Sequence, residues 1–362
     1  MSTARASRAR EAEPARLGEQ SFTKKAVIAS AVGAAAVIAL WMLLQVVHVL
    51  LMTFAGVLVA IFLWHVAKEV AERTPLEIGA SLLLVVVLLF TALGATILIG
   101  GPSLYREVEH VVEAVPPALD SLQEKILKLP WGDRLLSLIW RSPDVAGGAA
   151  ATVTTGISRV FAFVAYAFIV VFVGIYVAHA PDLHWNGLMH LFPPEERKRA
   201  REVLLDIRDN LWWWSLGRAF SMTAVGISTA LGLWLLGVPS SGVLGLLAGL
   251  LDFIPNFGPL LSVVPAILVA MPDGPRTVLL VALLYMGIQF AEWAFLTPYV
   301  DRKSVSVPPA LVLVSQVLAG VLFGVLGALL ATPLTVTAMV LVKRLYVEDY
   351  LNDSIEESPA RG

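Results

Sequence analysis

One apolar run carries polar residues and prolines at its centre, and this run constrains the fold more than any other feature. Residues 245–265 read GLLAGLLDFIPNFGPLLSVVP, so Asp252, Asn256 and three prolines interrupt a stretch that is apolar enough to enter a bilayer. Inside hydrocarbon, non-helical backbone is stable only where protein or a water-filled cavity satisfies its N–H and C=O groups. Broken helices at membrane depth are where transporters bind their cargo. The run therefore predicts a membrane transporter with a site between residues 252 and 259.

The composition supports a membrane protein and excludes several other classes. Hydrophobic residues make up 57% of the chain and charged residues only 15%, whereas soluble domains average about a quarter charged residues. The absence of cysteine excludes disulfides, thiol catalysis and thiolate metal sites. The chain also lacks a phosphate-binding Gly-Lys-Ser/Thr loop, a zinc motif and a nucleophile elbow. We therefore expect no enzyme, no cofactor, no bound metal and no nucleic-acid partner.

The spacing of apolar runs predicts an all-α, polytopic integral membrane protein with about six to eight membrane segments, one or two of them broken or re-entrant hairpins. An Arg-rich tail at 1–25 is predicted to be disordered and cytoplasmic. A tight turn near Gln45 to His48 is needed to separate the first two of three N-terminal spans within 26–101. The full set of predicted spans is 26–46, 47–65, 79–101, 156–178, 212–237 and 277–297.

Residues 102–155 are predicted to form an extramembrane insert. Val108, Val111 and Val115 recur at helical spacing. The segment is too polar to span a membrane and too apolar to be a free linker. Either it lies on the membrane surface or it packs beneath a neighbouring subunit. Its prolines are expected to divide it into short amphipathic helices, and they stand at positions 116, 117, 130 and 143.

The distribution of Lys and Arg predicts the orientation. The positive-inside rule places basic segments in the cytoplasm, and here these are the 1–25 tail, the 66–75 and 195–208 loops and Arg302-Lys303. Residues 102–155 and 238–241 then lie outside. Only one net crossing is allowed between 241 and 300, and the run 277–297 supplies it. Residues 242–271 are therefore predicted to enter and leave on the outer side, as a re-entrant hairpin.

A second long apolar segment, 308–342, completes a predicted transport core at 156–345, before a cytoplasmic tail at 346–362. Thr332-Pro333 is expected to break it, which makes it either a second hairpin or two spans. Its run 324–330 echoes 245–251. That echo indicates either an inverted repeat, as in many transporters, or the common likeness of Gly- and Leu-rich membrane helices.

The candidate transport site is the turn of the first broken segment. Asp252 ends one half-helix, and Gly258-Pro259 begins the next with proline at a favourable first-turn position. Free carbonyls and a positive helix N-terminus together can hold a cation, an anion or a polyhydroxylated solute. A charge within a span is costly and marks function by default, although Asp252 could instead be a structural cap. The predicted site includes Asp252, Pro255, Asn256, Gly258, Pro259, Gln289 and Gln316.

Polar residues elsewhere in the membrane segments extend this prediction. Tyr285, Gln289 and Glu292 form one polar stripe on an apolar helix. Glu292 lies at a depth similar to that of Arg218, so the two are predicted to pair as a gate or a structural latch. Gln316 either completes the site or makes an interhelical hydrogen bond.

The chain resembles the AI-2E family of bacterial transporters at Ile254-Pro-Asn-Phe-Gly-Pro259, with Gly237-Val-Pro239 before it. Nearly the whole chain fits the family layout. Arg218 matches an arginine that the family commonly carries near the start of the fifth span, and Gly320 to Pro333 matches its Gly-rich final segment. The chain departs from the family at Thr297-Pro298, where many members have Glu-Pro. Any role of that glutamate is therefore in doubt here.

The resemblance implies a multi-pass protein of the bacterial inner membrane, in contact with lipid and assembled as a homo-oligomer, with a pentamer expected. It implies export or facilitated passage of a small polar solute such as an autoinducer-2-like signal. The alternative within transport is sodium(lithium)/proton antiport, in which Asp252 and Glu292 would be the proton-sensitive groups. An alternative of another class is a non-transporting oligomeric scaffold.

Overall fold

The computed structural model describes residues 45–128, 165–296 and 307–351, together with Val37 and Met42. The described residues contain no strand, which confirms the predicted all-α class. Contacts divide the chain into residues 1–51 and 52–362, and every site discussed below lies in the second unit. The helices are α1 Gln45–Arg73, α2 Ile78–Leu127, α3 Ala165–His179, α4 Pro181–Met189, α5 Arg197–Leu235, α6 Ser241–Leu251, α7 Phe257–Ala270, α8 Pro275–Ala291 and α9 Pro309–Leu341. Wider π turns extend α8 over Glu292–Leu296 and α9 over Val342–Tyr350.

Length and composition make three described helices candidates to cross a membrane: Gln45–Arg73, Pro275–Phe295 and Pro309–Tyr350. The pair α3 and α4 is a fourth candidate, bent by 84° between its members. The last of the three has 42 residues, but it reverses direction within its length, as described below. The number of residues in this helix therefore overstates the distance that it spans. The predicted basic pair Arg302-Lys303 lies outside the described residues.

Two predicted breaks in the N-terminal half are wrong. Residues 45–48 are helical, so no turn separates two spans there. Neither glycine nor proline stands at these four positions to end a helix. Helix α2 likewise continues through Pro116 and Pro117 as one helix of 50 residues, about 75 Å long. Each proline removes one backbone hydrogen bond, but the helix absorbs both losses without breaking.

The C-terminal part of α2 packs against the same chain rather than lying apart from it. Val111 and Ala114 contact a buried core made by α5, α6, α7 and α8. Glu107 accepts a hydrogen bond from the backbone N–H of Val243 at 2.8 Å, and its carbonyl accepts one from the Ser240 hydroxyl at 3.1 Å. The carboxylate thus lies at the positive N-terminus of α6, where a negative charge is favourable. The segment 102–128 therefore helps to hold the first broken segment, a contact that the sequence analysis did not predict.

The first broken segment is a pair of short helices that pack against each other. Helix α6 has 11 residues and α7 has 14, so they are about 16 and 21 Å long, and neither matches a hydrocarbon thickness of about 30 Å. Leu244 near the start of α6 and Ala270 at the end of α7 belong to one buried cluster. We call α6, α7 and the turn at residues 252–256 the first hairpin.

Helix α5 supports the first hairpin along one side. The backbones of α5 and α6 approach closely, since a Cβ on Gly249 would lie 2.6 Å from the carbonyl oxygen of Met222. A Cβ on Gly245 would lie 2.5 Å from that of Ala230. The two helices therefore run antiparallel, and this contact carries the C-terminus of α6 toward the middle of α5.

The segment 308–342 is also a hairpin, but its break is at Gly324 rather than at Thr332-Pro333. Gly324 has φ 66° and ψ −151°, a backbone conformation that is outside any helix and essentially restricted to glycine. The amide nitrogen of Gln316 lies 3.5 Å from the Thr332 hydroxyl, although 16 residues of straight helix would separate them by about 24 Å. Pro333 is buried within the second arm without ending it. We call 309–341 the second hairpin.

The sequence echo between the two hairpins does not mark equivalent positions. Residues 245–251 lie in the arm before the first turn. Residues 324–330 begin at the turn of the second hairpin and continue into the arm after it. Of the two interpretations of the echo, the different positions of the two runs favour the shared Gly- and Leu-rich composition over an inverted repeat of these residues.

Candidate functional site

The turn of the first hairpin begins at Asp252, a carboxylic acid that is 1% exposed. Its backbone N–H donates to the Ala248 carbonyl at 2.9 Å, so Asp252 closes the last turn of α6. The chain then bends sharply at Asn256, which has φ 68° and ψ −46°. The N–H of Phe257 donates to the Pro255 carbonyl at 2.8 Å across Asn256. This is a γ-turn with positive φ, a rare and strained form.

Gly258 allows the second arm to pass close to the first. A Cβ at this position would lie 2.0 Å from the carbonyl oxygen of Leu251, so no other residue fits without moving the backbone. Pro259 follows in the first turn of α7 and is buried, at a position where its missing N–H costs little. The side chain of Asn256 is exposed and that of Pro255 is half-buried.

Arg218 of α5 binds the end of α6. Its Nη1 donates to the carbonyl oxygen of Asp252 at 2.9 Å and to the Oδ2 atom of the same residue at 3.0 Å. A cation at a helix C-terminus satisfies a free carbonyl and interacts favourably with the helix dipole. The Arg218 side chain is only 14% exposed, so this ion pair is shielded from solvent.

Glu292 of the π turn after α8 completes the cluster. Its Oε1 lies 3.5 Å from Nη1 of Arg218 and 2.5 Å from the hydroxyl oxygen of Ser221. The Ser221 hydroxyl is also 2.8 Å from Oδ2 of Asp252. Gln289 donates from Nε2 to Oε2 of Glu292 at 3.1 Å. We call Arg218, Ser221, Asp252, Gln289 and Glu292 the hairpin cluster.

The structure separates the predicted site residues into three groups. Arg218, Asp252, Gln289 and Glu292 meet in the hairpin cluster, and Pro255, Asn256, Gly258 and Pro259 form the turn beside it. Tyr285 belongs to the predicted polar stripe but turns toward α7, where its hydroxyl donates to the Ser262 carbonyl at 3.3 Å. Gln316 contacts Thr332 in the other arm of its own hairpin. For Gln316, this contact matches the prediction of an interhelical bond.

Five buried side-chain oxygen atoms have no hydrogen-bond partner among the described residues, and two of them lie in the hairpins. These two are Oδ1 of Asp252 and Oε1 of Gln316. A buried oxygen left without a donor costs about 1–3 kcal/mol. Such atoms are therefore places where a proton, a cation or a polar solute would be bound favourably. Each hairpin thus contains one of these atoms, and only the first contains a charge.

The charged side chains of the hairpin cluster lie in a shielded environment. Two carboxyl groups face one guanidinium, and the three side chains are 1%, 15% and 14% exposed in the order Asp252, Glu292, Arg218. Charges interact more strongly in such a medium than in water. No group of three or more His, Cys, Asp or Glu residues suited to a metal ion occurs in the ranges that the structure describes.

Sequence analysis missed two members of this arrangement. Ser221 lies three residues after Arg218, on the same face of α5, so helical spacing could have indicated it. The predicted pairing of Arg218 with Glu292 is also incomplete, since Arg218 is closer to Asp252. Glu107, at the other end of α6, had no local signal because its contact joins residues more than 130 positions apart.

Comparison with known proteins agrees with this architecture. The family model for AI-2E family transporters matches residues 28–346, most of the chain. YrrI of Bacillus subtilis (strain 168), provisionally named a transport protein, is 26% identical over 301 residues, which cover 80% of this chain and 85% of YrrI. The AI-2 transport protein TqsA of Escherichia coli (strain K12) is 32% identical over 127 residues, covering 34% of this chain and 37% of TqsA. The chain belongs to the AI-2E family of transporters.

Proposed function

We propose that this protein is a secondary permease that moves a small polar solute past the turn of the first hairpin. The observation that carries the proposal is the buried Asp252, whose Oδ1 has no partner among the described residues. A charged residue at the centre of a membrane helix costs about 2.5–3.5 kcal/mol on insertion scales. The contacts with Arg218 and Ser221 use only Oδ2 of Asp252 and its carbonyl oxygen, so the open Oδ1 supports a binding role.

The cargo we propose first is a small, hydroxyl-rich solute such as an autoinducer-2-like signal, exported from the cell. The turn offers acceptors at Asp252 and an exposed amide at Asn256, which suit a solute rich in hydroxyl groups. The relative TqsA is named for AI-2 transport. Because the match to TqsA covers about a third of this chain, the cargo is a proposal of its own.

The second candidate is sodium(lithium)/proton antiport, and Glu292 is the observation that favours it. Its carboxyl group and that of Asp252 meet at the Arg218 guanidinium, and carboxyl oxygens can bind a monovalent cation or a proton. The third interpretation, a scaffold without transport, gains no support from the hairpin cluster. Membership of a transporter family also argues against it.

Flux into proteoliposomes separates these candidates. A permease for a neutral solute should carry a labelled furanone or polyol without a sodium, lithium or pH gradient. An antiporter should move protons only when sodium or lithium is present on the opposite side. We expect Asp252→Asn to abolish coupling in an antiporter but only to weaken passage of a neutral solute. Asn256→Ala should weaken either activity, and unchanged flux in both variants at equal expression would place the site elsewhere.

We also propose that the protein lies in the bacterial inner membrane with both termini in the cytoplasm, and that it assembles as a homopentamer. The contact of Glu107 with Ser240 and Val243 supports this orientation, because both regions were predicted to lie outside. The chain has no cysteine, so single cysteines can be introduced directly. Cysteines at Ser240 and Asp273 should both react with an impermeant reagent from outside. Reaction of the two from opposite sides would show that 242–271 crosses fully.

A further inference from the structure

The π turns Val342–Tyr350 continue the second hairpin beside the N-terminal part of α5, and we call them the C-terminal extension. Before them, Val340 of α9 lies in one buried cluster with Val203 and Ile207 of α5. None of the nine residues of the extension is buried. The buried apolar contact between α9 and α5 therefore ends at Val340, and polar contacts continue it.

Arg199 of α5 makes the first of these polar contacts. Its Nε and Nη2 atoms donate to Oδ2 and Oδ1 of Asp349 at 3.1 and 2.8 Å, and two parallel bonds of this kind fix the orientation of both groups. Its Nη2 also lies 3.3 Å from Oε2 of Glu348 and 3.2 Å from the carbonyl oxygen of Arg344. One guanidinium thus contacts three residues of the extension, which are 145 to 150 positions away along the chain.

Arg344 makes the second contact, from the extension to α5. Its guanidinium pairs with the carboxylate of Asp206. Its Nη1 also donates to Oε2 of Glu348 at 2.8 Å, so this carboxylate lies between the two arginines. We call the five residues of this network the latch, and they are Arg199, Asp206, Arg344, Glu348 and Asp349.

The side chains of the latch are partly exposed, and this decides how the latch responds to salt. Their exposed fractions run from 22% for Glu348 to 43% for Asp349. Dissolved ions screen the attraction between charges that solvent reaches. A shielded pair such as Arg218 and Asp252, at 14% and 1% exposed, is screened much less. Rising ionic strength therefore weakens the latch before it weakens the ion pair of the hairpin cluster.

The contact between α5 and α9 also covers the turn of the first hairpin. Phe253, the residue after Asp252, packs against the buried cluster that contains Trp214 of α5 and Val336 of α9. The rings of Phe253 and Trp214 meet edge-on, with their centroids 5.8 Å apart. Separation of α9 from α5 therefore uncovers one side of the turn, and the latch lies at the end of the contact that prevents this separation.

We propose that the latch is an ionic-strength switch, which restrains transport while its ion pairs are formed and releases this restraint when salt screens them. The latch is formed in a conformation in which Asp252 is only 1% exposed. A contact made in one conformation stabilises that conformation relative to the others. Loss of the latch therefore shifts the population away from this shielded conformation and raises flux. The effect on flux rests on the proposed function, whereas release of the extension does not.

Distances between two spin labels test the latch without any transport. Lys198→Cys on α5 and Tyr346→Cys in the extension carry the labels on the full-length protein, because both positions are exposed and lie outside the latch. The chain has no cysteine of its own. In lipid nanodiscs we expect one narrow distance distribution at about 20 mM KCl and a broader, longer one at about 300 mM KCl.

Two variants and two controls establish the cause of this change. Arg199→Gln on α5 and Asp349→Asn in the extension should each give the broad distribution at both salt concentrations. Agreement between them excludes a local folding defect in either helix. Arg201→Gln is the matched control, since Arg201 is exposed on the same helix and takes no part in the latch. It should behave like the wild type, and sucrose at the osmolarity of the higher KCl concentration should leave the distribution narrow.

Solute flux in proteoliposomes tests the restraint on transport. The KCl concentration is equal on both sides, so that only the ionic strength changes. Flux through the wild-type protein should rise about two- to fivefold between the lower and the higher KCl concentration, the range expected for loss of surface ion pairs. Arg199→Gln should show the higher flux at both concentrations. A bismaleimide cross-link between the two cysteines should keep the low-salt flux at the higher concentration.

The outcomes distinguish this inference from the proposed function. A distance distribution that neither KCl nor Arg199→Gln changes would overturn the latch, and an equal response to sucrose would overturn ionic strength as its trigger. Flux that does not change with KCl, in a protein whose label distance does, would overturn the restraint and leave the permease standing. A salt-dependent distance in a protein that carries none of the tested solutes would overturn the permease and leave the latch.

Discussion

Both hairpins reverse the chain between two packed helical arms, but their turns differ. The first uses five residues, 252–256, and places a buried carboxyl group, a strained asparagine and an arginine contact at its turn. The second reverses at a single glycine, Gly324, and carries the uncharged pair Gln316 and Thr332 between its arms. A turn that only reverses the chain needs one residue with positive φ. The longer turn also lies beside charged side chains from two other helices, and reversal of the chain alone does not require them.

Their glycines differ in the same way. Gly258 is required because the backbone of Leu251 occupies the space of a Cβ, whereas Gly324 has no atom within 4 Å of that space and is required by its dihedral angles alone. The first constraint is one of packing between two arms. The second is local to one residue. Mutations that separate these causes are therefore a direct test of the difference between the hairpins.

Gly258→Ala should have the largest effect. Its Cβ would lie 2.0 Å from a backbone oxygen and 2.5 Å from the adjoining carbonyl carbon of Leu251, neither of which can rotate away. We expect loss of folded, monodisperse protein in size-exclusion chromatography. Gly287→Ala in α8 is the matched control, since nothing lies within 4 Å of its Cβ position. A variant at 258 that melts like the wild type would show that the arms separate easily.

Arg218→Gln should be the next most harmful change. It removes the cation that binds the buried carboxyl group and the carbonyl of Asp252, and breaking a buried ion pair costs about 3–5 kcal/mol. Thermal unfolding in detergent measures the loss. The double variant with Glu292→Gln should lose less than the sum of the single variants, because each single change breaks the same Arg218–Glu292 contact and the double variant loses it only once. Simple additivity would mean that the two residues are not coupled.

Gly324→Ala should cost about 1–3 kcal/mol, the range for a residue forced into a backbone region reserved for glycine. Gly320→Ala in the same hairpin is the control, because its Cβ would make an ordinary 3.5 Å contact with Ala328. The stability difference between the two variants isolates the turn from the packing of its arms. Equal melting temperatures would show that the reversal at 324 is not fixed by this residue.

The sequence predicted the first hairpin well because its signals are local. A carboxyl group and three prolines within an apolar run predict a break near 252–259, and the structure has a break there. The second break was assigned to Thr332-Pro333 because proline is a familiar helix breaker. Pro333 instead lies within a helical arm, as Pro116 and Pro117 do in α2. The true reversal depends on the backbone angles of one glycine among several, and the sequence does not distinguish them.

The composition of the hairpin cluster was only partly predictable for a different reason. Arg218, Asp252 and Glu292 were recognisable because charges within apolar segments are rare. Ser221 carries no charge and was therefore overlooked, although it contacts both acids. Whether Arg218 lies closer to Asp252 or to Glu292 depends on how far the end of α6 extends along α5. The close backbone contact at Gly249 sets that position, and it depends on the packing of the two helices rather than on the sequence pattern.

Gln316→Leu should have the smallest effect, and it tests whether the second hairpin has any part in binding. Its amide makes one long hydrogen bond of 3.5 Å, and its Oε1 has no partner among the described residues. A single hydrogen bond contributes about 1 kcal/mol and this one is long, so we expect a change in stability within about 1 kcal/mol and unchanged flux. Thr332→Val, which removes the other partner, is the matched control. If Gln316→Leu abolished flux while stability stayed normal, the unpartnered oxygen would belong to the cargo site, and the functional contrast between the two hairpins would no longer hold.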